Sequence, residues 1–497
     1  MNIIDNDLLS VQEARILAEN AGEAQIALAD FSQARLDSIV ECMADEIADK
    51  AYELAVMSYE ETDYGRLEDK CLKNKFASEF LKNELKGMKC VGIIEEDAEK
   101  STWDVGVPRG MIVSVVPSTS PVSTTIYNTL ISIKSGNAIV FSPNVRAKNS
   151  VACTLDTLIK IGEKCGLPEG VISYMTTVTK AGTVELMNHS SCGLILITGV
   201  PGILEEAYKT KKPVIYGGTG NGPAFIERTA NIGQAAKDIV ESKSFDYGIV
   251  PSAEQSIVVE SCIFDRVKSA LIAEGCYFMT PEEADNLGKL FYNGDGTPNL
   301  EMIGKSPQIL AKRAGFNIGE HIKLLIAEEK YVSIYNPYSK EKLGPVLSLY
   351  IEEDWRHACE KCIELLVTEK NGHTITVHSN DLEVIRQFAL KKPVGRVLVN
   401  TPAAFGSIGC TTNLFPALTL GSGSAGRGMT ADNVSPMNLV YIRKVGFGVR
   451  DFYSAMGKAP DPHRNICHET RPGEEISGSE GMKQLYKLLK DTLKEQK

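Results

Sequence analysis

The chain has 497 residues, 43% of them hydrophobic and 24% charged, the balance of an ordinary globular protein with enough sequence for roughly three domains or fewer. A net charge of −11 without a basic block argues against a nucleic-acid partner, because nothing is set out to neutralise phosphates. No run of about 18 apolar residues occurs, which argues against a membrane span, and the acidic start MNIIDNDLLSVQEA is wrong for a secretory signal.

Helical periodicity fills residues 8–87, with segments at Leu8–Ile26, Phe31–Ala51, Tyr52–Thr62 and Leu72–Leu85. Within it, Gly65 reads as a helix cap and Glu68-Asp69-Lys70 as a solvated charge run. The chain then becomes extended: WDVGVP and MIVSVV predict two short strands around the Pro108-Arg109-Gly110 turn. Strands at Ala138–Phe141, Val171–Met175, Leu194–Ile197 and Val214–Tyr216 alternate with helices at Ser150–Lys164, Ala181–Asn188 and Ile203–Lys209. Unbroken apolar strands of this kind belong to parallel sheets buried on both faces, so a nucleotide-binding layer is the expected architecture.

A second α/β segment follows, with helices at Ile232–Ser242, Phe264–Glu274, Pro281–Leu290 and Trp355–Leu366. Its strands are Ile257–Val259, Lys323–Leu325, Leu347–Tyr350 and Arg396–Val399. The Gly/Ser-rich run Leu420–Gly428 marks a boundary, and residues 455–480 are polar enough for a linker. The last seventeen residues, 481–497, form a short basic amphipathic helix, suited to docking on a shell or scaffold or to packing on the chain's own body.

The twelve cysteines are scattered apart from Cys359 and Cys362, a CxxC pair inside an amphipathic helix, so free, mostly buried thiols in a reducing compartment are expected. The seven histidines show no metal spacing: His373 and His378 flank a strand, and His463 and His468 have only Cys467 beside them.

The stretch Ser242-Lys243-Ser244-Phe245-Asp246, with Gly248 and Glu254-Gln255-Ser256, closely resembles the nucleophile loop of the CoA-acylating aldehyde dehydrogenases. Further matches are Glu61-Thr62 through Lys70, Asn400-Thr401-Pro402, Phe405 to Gly409, Thr411 to Leu414, and Pro416 to Leu420, continuing through Asn438-Leu439. The resemblance runs from about Val11 to Arg450 and implies an α/β aldehyde-dehydrogenase fold. It implies an N-terminal and Rossmann-type cofactor domain over residues 1–230 and a catalytic-type α/β domain over 231–426. A β arm would combine residues 97–110 with 427–450, ahead of the linker at 451–480. Such arms complete a partner's sheet, implying a homodimer or a dimer of dimers.

For cofactors the resemblance implies NAD and CoA. Leu194 to Gly202 reads as strand, glycine turn and helix, placing Thr198, Gly199 and Gly202 at a pyrophosphate. Val200 stands where the family has a second glycine and should weaken that binding. Ser142 and Pro143 resemble the adenosine-facing loop, Gly220 and Asn221 the family's GPGN segment, and Glu341 the carboxylate that holds the nicotinamide ribose.

Two positions depart from the family. Its nucleophilic cysteine falls on Pro251, which offers neither thiol nor N–H, and its oxyanion-binding Asn falls on Ser120. A third departure is Ser422, where the family tends to have cysteine. Cys410 is the best placed replacement thiol. Two readings follow. One is an NAD- and CoA-dependent aldehyde oxidoreductase with a rearranged site. The other, favoured by the paired losses, is a catalytically silent homologue that acts with an active paralogue, a shell or a scaffold. Its expected location is the cytoplasm, with a bacterial microcompartment left open by the terminal helix.

Overall fold

The computed structural model describes residues 5–294, 296–369 and 372–459. The terminal helix expected at 481–497 lies outside them. The described chain divides into two units, residues 5–88 with 108–440, and residues 89–107 with 441–459.

The first unit opens on helices Asn6–Ala29, capped by the Asp5 carboxylate, and Gln33–Ala48, capped by the Ser32 hydroxyl. Ala51–Thr62 ends at Asp63 in the left-handed region. Leu67–Lys75 then runs through a π-helical turn at Phe76–Phe80 into Leu81–Leu85. The Glu68-Asp69-Lys70 run is therefore helical, and Asp69 and Lys70 are buried rather than solvated.

Two parallel sheets form the body. The five-stranded sheet has the order Ile172–Tyr174, Ile139–Ser142, Met111–Val115, Cys192–Thr198, Val214–Gly217. In chain order this is 3-2-1-4-5, the doubly wound pattern, whose direction reverses between Met111–Val115 and Cys192–Thr198. Ligands bind such sheets beyond the carboxyl ends of the strands at the reversal. Here those ends lead into Pro117–Ser120 and Thr198-Gly199. The helix Pro121–Lys134 follows, every residue of it buried.

The seven-stranded sheet runs Cys276–Phe278, Leu324–Glu328, Val346–Glu352, Ser256–Glu260, Pro223–Ile226, Thr374–His378, Arg396–Val399. Ala224, Ile226, Ile257 and Val259 face a core closed by helices Ile232–Ser244 and Phe264–Ala273. Phe225, Val258 and Tyr350 face the other side, under helices Trp355–Thr368 and Leu382–Lys391. Cys359 and Cys362 are buried in that layer.

The expectation of free thiols fails at one pair. Cys42 and Cys165 form a disulfide, with their Cα atoms 6.3 Å apart. The cause is tertiary: it joins the helix Gln33–Ala48 to the C-cap of Lys148–Lys164, a proximity that a separation of 123 residues hides.

In the second unit, Gly92–Asp97 pairs antiparallel with Thr102–Pro108, and the strand Val440–Gly446 completes a three-stranded sheet. Trp103 packs edge-on against Phe447, while Tyr441 and Ile442 stay exposed.

Candidate active site

A cavity of about 100 Å³ opens where the carboxyl ends of Met111–Val115 and Cys192–Thr198 meet the loop before Ser256–Glu260. Its walls are mostly apolar, built from residues such as Phe245, Val250, Phe405, Ile408 and Leu418. Pro251 and Ser120 line it together, so the two departures noted in the sequence share one site. Gly220 packs on the Pro251 carbonyl so closely that a Cβ there would lie 1.8 Å from the oxygen.

The polar end is built around Ser120, the N-cap residue of Pro121–Lys134. Its hydroxyl caps no backbone amide and accepts instead from Lys73 Nζ at 2.7 Å. Lys73 pairs with the fully buried Asp246, and Lys70 Nζ lies 3.7 Å from the same carboxylate. Burial pushes the Lys70 ammonium down to about 8 despite that partner. Asp246 and Tyr247 both hold positive φ, 49° and 51°. The Asp246 N–H donates to Asp69 at 2.8 Å, and the Arg66 N–H donates back to the Asp246 carboxylate at 2.7 Å. Gly65 is not the helix cap expected of it, since Asp63 takes that place; a Cβ on Gly65 would instead sit 1.8 Å from Asp246 Oδ1, so the glycine lets the carboxylate approach. Lys73 was not singled out in the sequence, although its spacing three residues after Lys70 on one helix face was visible.

Two more ionisable groups line the cavity. Glu341 accepts from the Gly220 N–H at 2.9 Å, and burial raises its carboxyl to about 8. His373 is buried with Nδ1 2.8 Å from the Thr374 hydroxyl; burial and then Arg396 hold it well below its ordinary range, hence neutral. Behind the wall, Glu254 accepts from the Ala403 N–H at 2.9 Å, and burial raises it to about 7. Gln255 accepts from Lys243 and from the Lys342 N–H, so the Glu-Gln pair of the loop motif ties the fold together.

Thr198 and Gly199 line the cavity, and Thr198 shares a hydrogen bond with Thr419 at 2.8 Å. Gly202 borders a second cleft, with open space beside its Cα, and Thr219 lines both clefts. Because they share Thr219, the two clefts adjoin, as an elongated dinucleotide would require. The turn fits its phosphates less well. The Gly199 N–H is spent on the Gly217 carbonyl, Val200 enters a 3₁₀ turn, and the six-residue helix that follows carries Glu205 and Glu206 in its first turn. Lys180 and Arg427 supply the positive charge there. Ser142 and Pro143 are buried and border neither cleft; the Ser142 hydroxyl bonds Thr183. Asn221 is fully buried, its amide donating to the Ser339 and Leu365 carbonyls.

No cysteine lines the cavity among the described residues. Cys410 is exposed and outside the lining, its N–H on the Phe405 carbonyl and its thiol raised by partial burial. Ser422 is buried, donating to the Gly426 carbonyl at 2.9 Å. Cys42, Glu46 and Cys165 come together as metal ligands would, but both sulfurs are committed to the disulfide.

Residues 3–278 match the aldehyde dehydrogenase family model. The chain is 36% identical over 441 residues to the bifunctional aldehyde-alcohol dehydrogenase AdhE of Escherichia coli K12, covering 88% of this chain and 49% of that one. It thus spans about half the length of that relative. It is 31% identical over 431 residues to the acetylating succinate-semialdehyde dehydrogenase of Clostridium kluyveri, covering 87% of this chain and 95% of the other. A crystal structure of a probable aldehyde dehydrogenase from Listeria monocytogenes superposes with a TM-score of 0.89 at 46% identity, covering 91% of this chain and all of that one. The chain belongs to the aldehyde dehydrogenase family, within its CoA-acylating branch.

Proposed function

We propose that this chain has lost the CoA-acylating reaction of its family and keeps a ligand-binding cleft in an oligomeric assembly. The observation that carries this reading is Pro251 in the cavity wall with no thiol among the described residues that line it. The family reaction needs a thiolate to attack the aldehyde, pass hydride to NAD and hand the acyl group to CoA. Pro251 removes both the nucleophile and one oxyanion N–H, and Ser120 shortens the other donor. Loss of one oxyanion donor costs ~10²–10³ in rate, and loss of a nucleophile on the order of 10⁶. These do not multiply, but the second alone leaves negligible turnover.

Thr198, Gly199, Thr219 and Glu341 would hold the nicotinamide end of a dinucleotide, which would supply hydride-transfer chemistry when bound. Val200 and the acidic turn after it weaken the phosphate end, so NAD and CoA binding fall below the family's level. The exposed three-stranded sheet of the second unit supports a homodimer or dimer of dimers, and residues 481–497 are the proposed contact to a paralogue, shell or scaffold. Location in the cytoplasm or within a microcompartment follows from that contact. The test is incubation with NAD, CoA and short aldehydes, read by NADH absorbance and by intact-mass spectrometry. No NADH and no acyl adduct are expected; an adduct on Cys410 would replace this reading with an active rearranged site.

A further inference from the structure

We propose that the cleft is a binding site for short-chain organic carboxylates, with the carboxylate on the Ser120 hydroxyl and the Lys73 ammonium and the alkyl chain against Pro251 and Phe405. It rests on the reading that no acyl-enzyme forms at Pro251, and it names what the remaining cavity takes.

Charge favours an anion here. Lys70 and Lys73 share one carboxylate, Asp246, while the neighbouring Asp69 pairs with Arg66 at 3.5 Å. Those five groups leave one positive charge in excess, and Lys73 is the cation that reaches the cavity. The N-terminus of Pro121–Lys134 lies at the same point with no side-chain cap, so its dipole adds to the positive potential. The Ser123 hydroxyl in its first turn is buried without a partner and lines a small void shared with Lys70, Lys73 and Ser120. On another wall Glu341, raised to about 8, holds its proton at neutral pH and does not repel an anion.

Shape agrees. An apolar cavity of 150 Å³ holds a six-carbon ring, so 100 Å³ takes about four non-hydrogen atoms, the size of acetate, with the open mouth admitting a longer chain. An aldehyde would gain only a neutral hydrogen bond from Ser120, whereas a carboxylate gains a charge-assisted one, about twice as strong.

The test is titration of the full chain with propionate and with propionamide, its uncharged isostere, without cofactor or aldehyde, read by calorimetry and ligand-observed NMR. Propionate is expected to bind at least about tenfold more tightly than propionamide. Ser120→Val, which removes the hydroxyl donor and leaves the Lys73 charge, should cut that preference severalfold, and Ser120→Thr should keep it. Lys73→Met should lose it, but it strips Asp246 of a partner, so Ser120→Val, which leaves the ion pairs intact, decides. Equal binding of the two compounds, no propionate binding at millimolar concentration, or an unchanged preference in Ser120→Val each overturns the proposal. Because no turnover is read, this result is separate from the aldehyde assay.

Discussion

Asp246 is held in a backbone conformation that a non-glycine residue rarely adopts, and its carboxylate is fully buried between two lysines. Removing it leaves two buried ammonium groups with only the neighbouring Asp69, itself paired with Arg66, as counter-charge. Asp246→Ala should therefore cost about 3–5 kcal/mol, measured by urea unfolding. Gly65→Ala should be comparably damaging, since its φ of +73° and the 1.8 Å approach to Asp246 both reject a Cβ. The raised carboxyls set a pH dependence. Glu254 and Glu341 hold protons in the folded state, to about 7 and about 8, that the unfolded chain releases near 4.5. Their contribution to stability is full below about 4.5 and is lost as pH rises through 7 to 8. Glu341→Gln should flatten the fall in melting temperature between pH 5 and 8; an unchanged slope would show that Glu341 does not titrate in that window.

At the scale of elements, the disulfide closes a long loop between the helix Gln33–Ala48 and the C-cap of Lys148–Lys164. Cys42→Ser with Cys165→Ser, or reductant, should lower stability by about 2–4 kcal/mol, read by calorimetry. No local sequence signal marks such a pair. The parallel strands, by contrast, were legible because burial on both faces makes them continuous apolar runs, as at Ala138–Phe141 and Leu194–Ile197. The helix Pro121–Lys134, which carries Ser120, was not. It is buried all round, so no amphipathic period shows, and its Val, Ile and Thr content mimics a strand. Pro223–Ile226, just past the Gly220-Asn221 match, carries no strand reading in the sequence, yet it lies in the interior of the seven-stranded sheet. Lys73 escaped because its importance lies in reaching Ser120 and Asp246, 47 and 173 residues away.

For the whole molecule, the sheet of the second unit leaves Tyr441 and Ile442 uncovered on a strand that a second copy could extend. Tyr441→Lys with Ile442→Lys should shift light scattering from dimer or tetramer to monomer if the arm is the contact. On the proposed reading, a sound scaffold lost its reaction at two positions in one cavity. The most direct measurement is NADH formation from NAD, CoA and short aldehydes by the Pro251→Cys, Ser120→Asn double variant beside the parent chain. A flat parent and a variant that turns over are the predicted result. Turnover by the parent would show that the reaction was never lost, and a folded variant as inactive as the parent would show that the loss lies elsewhere in the molecule.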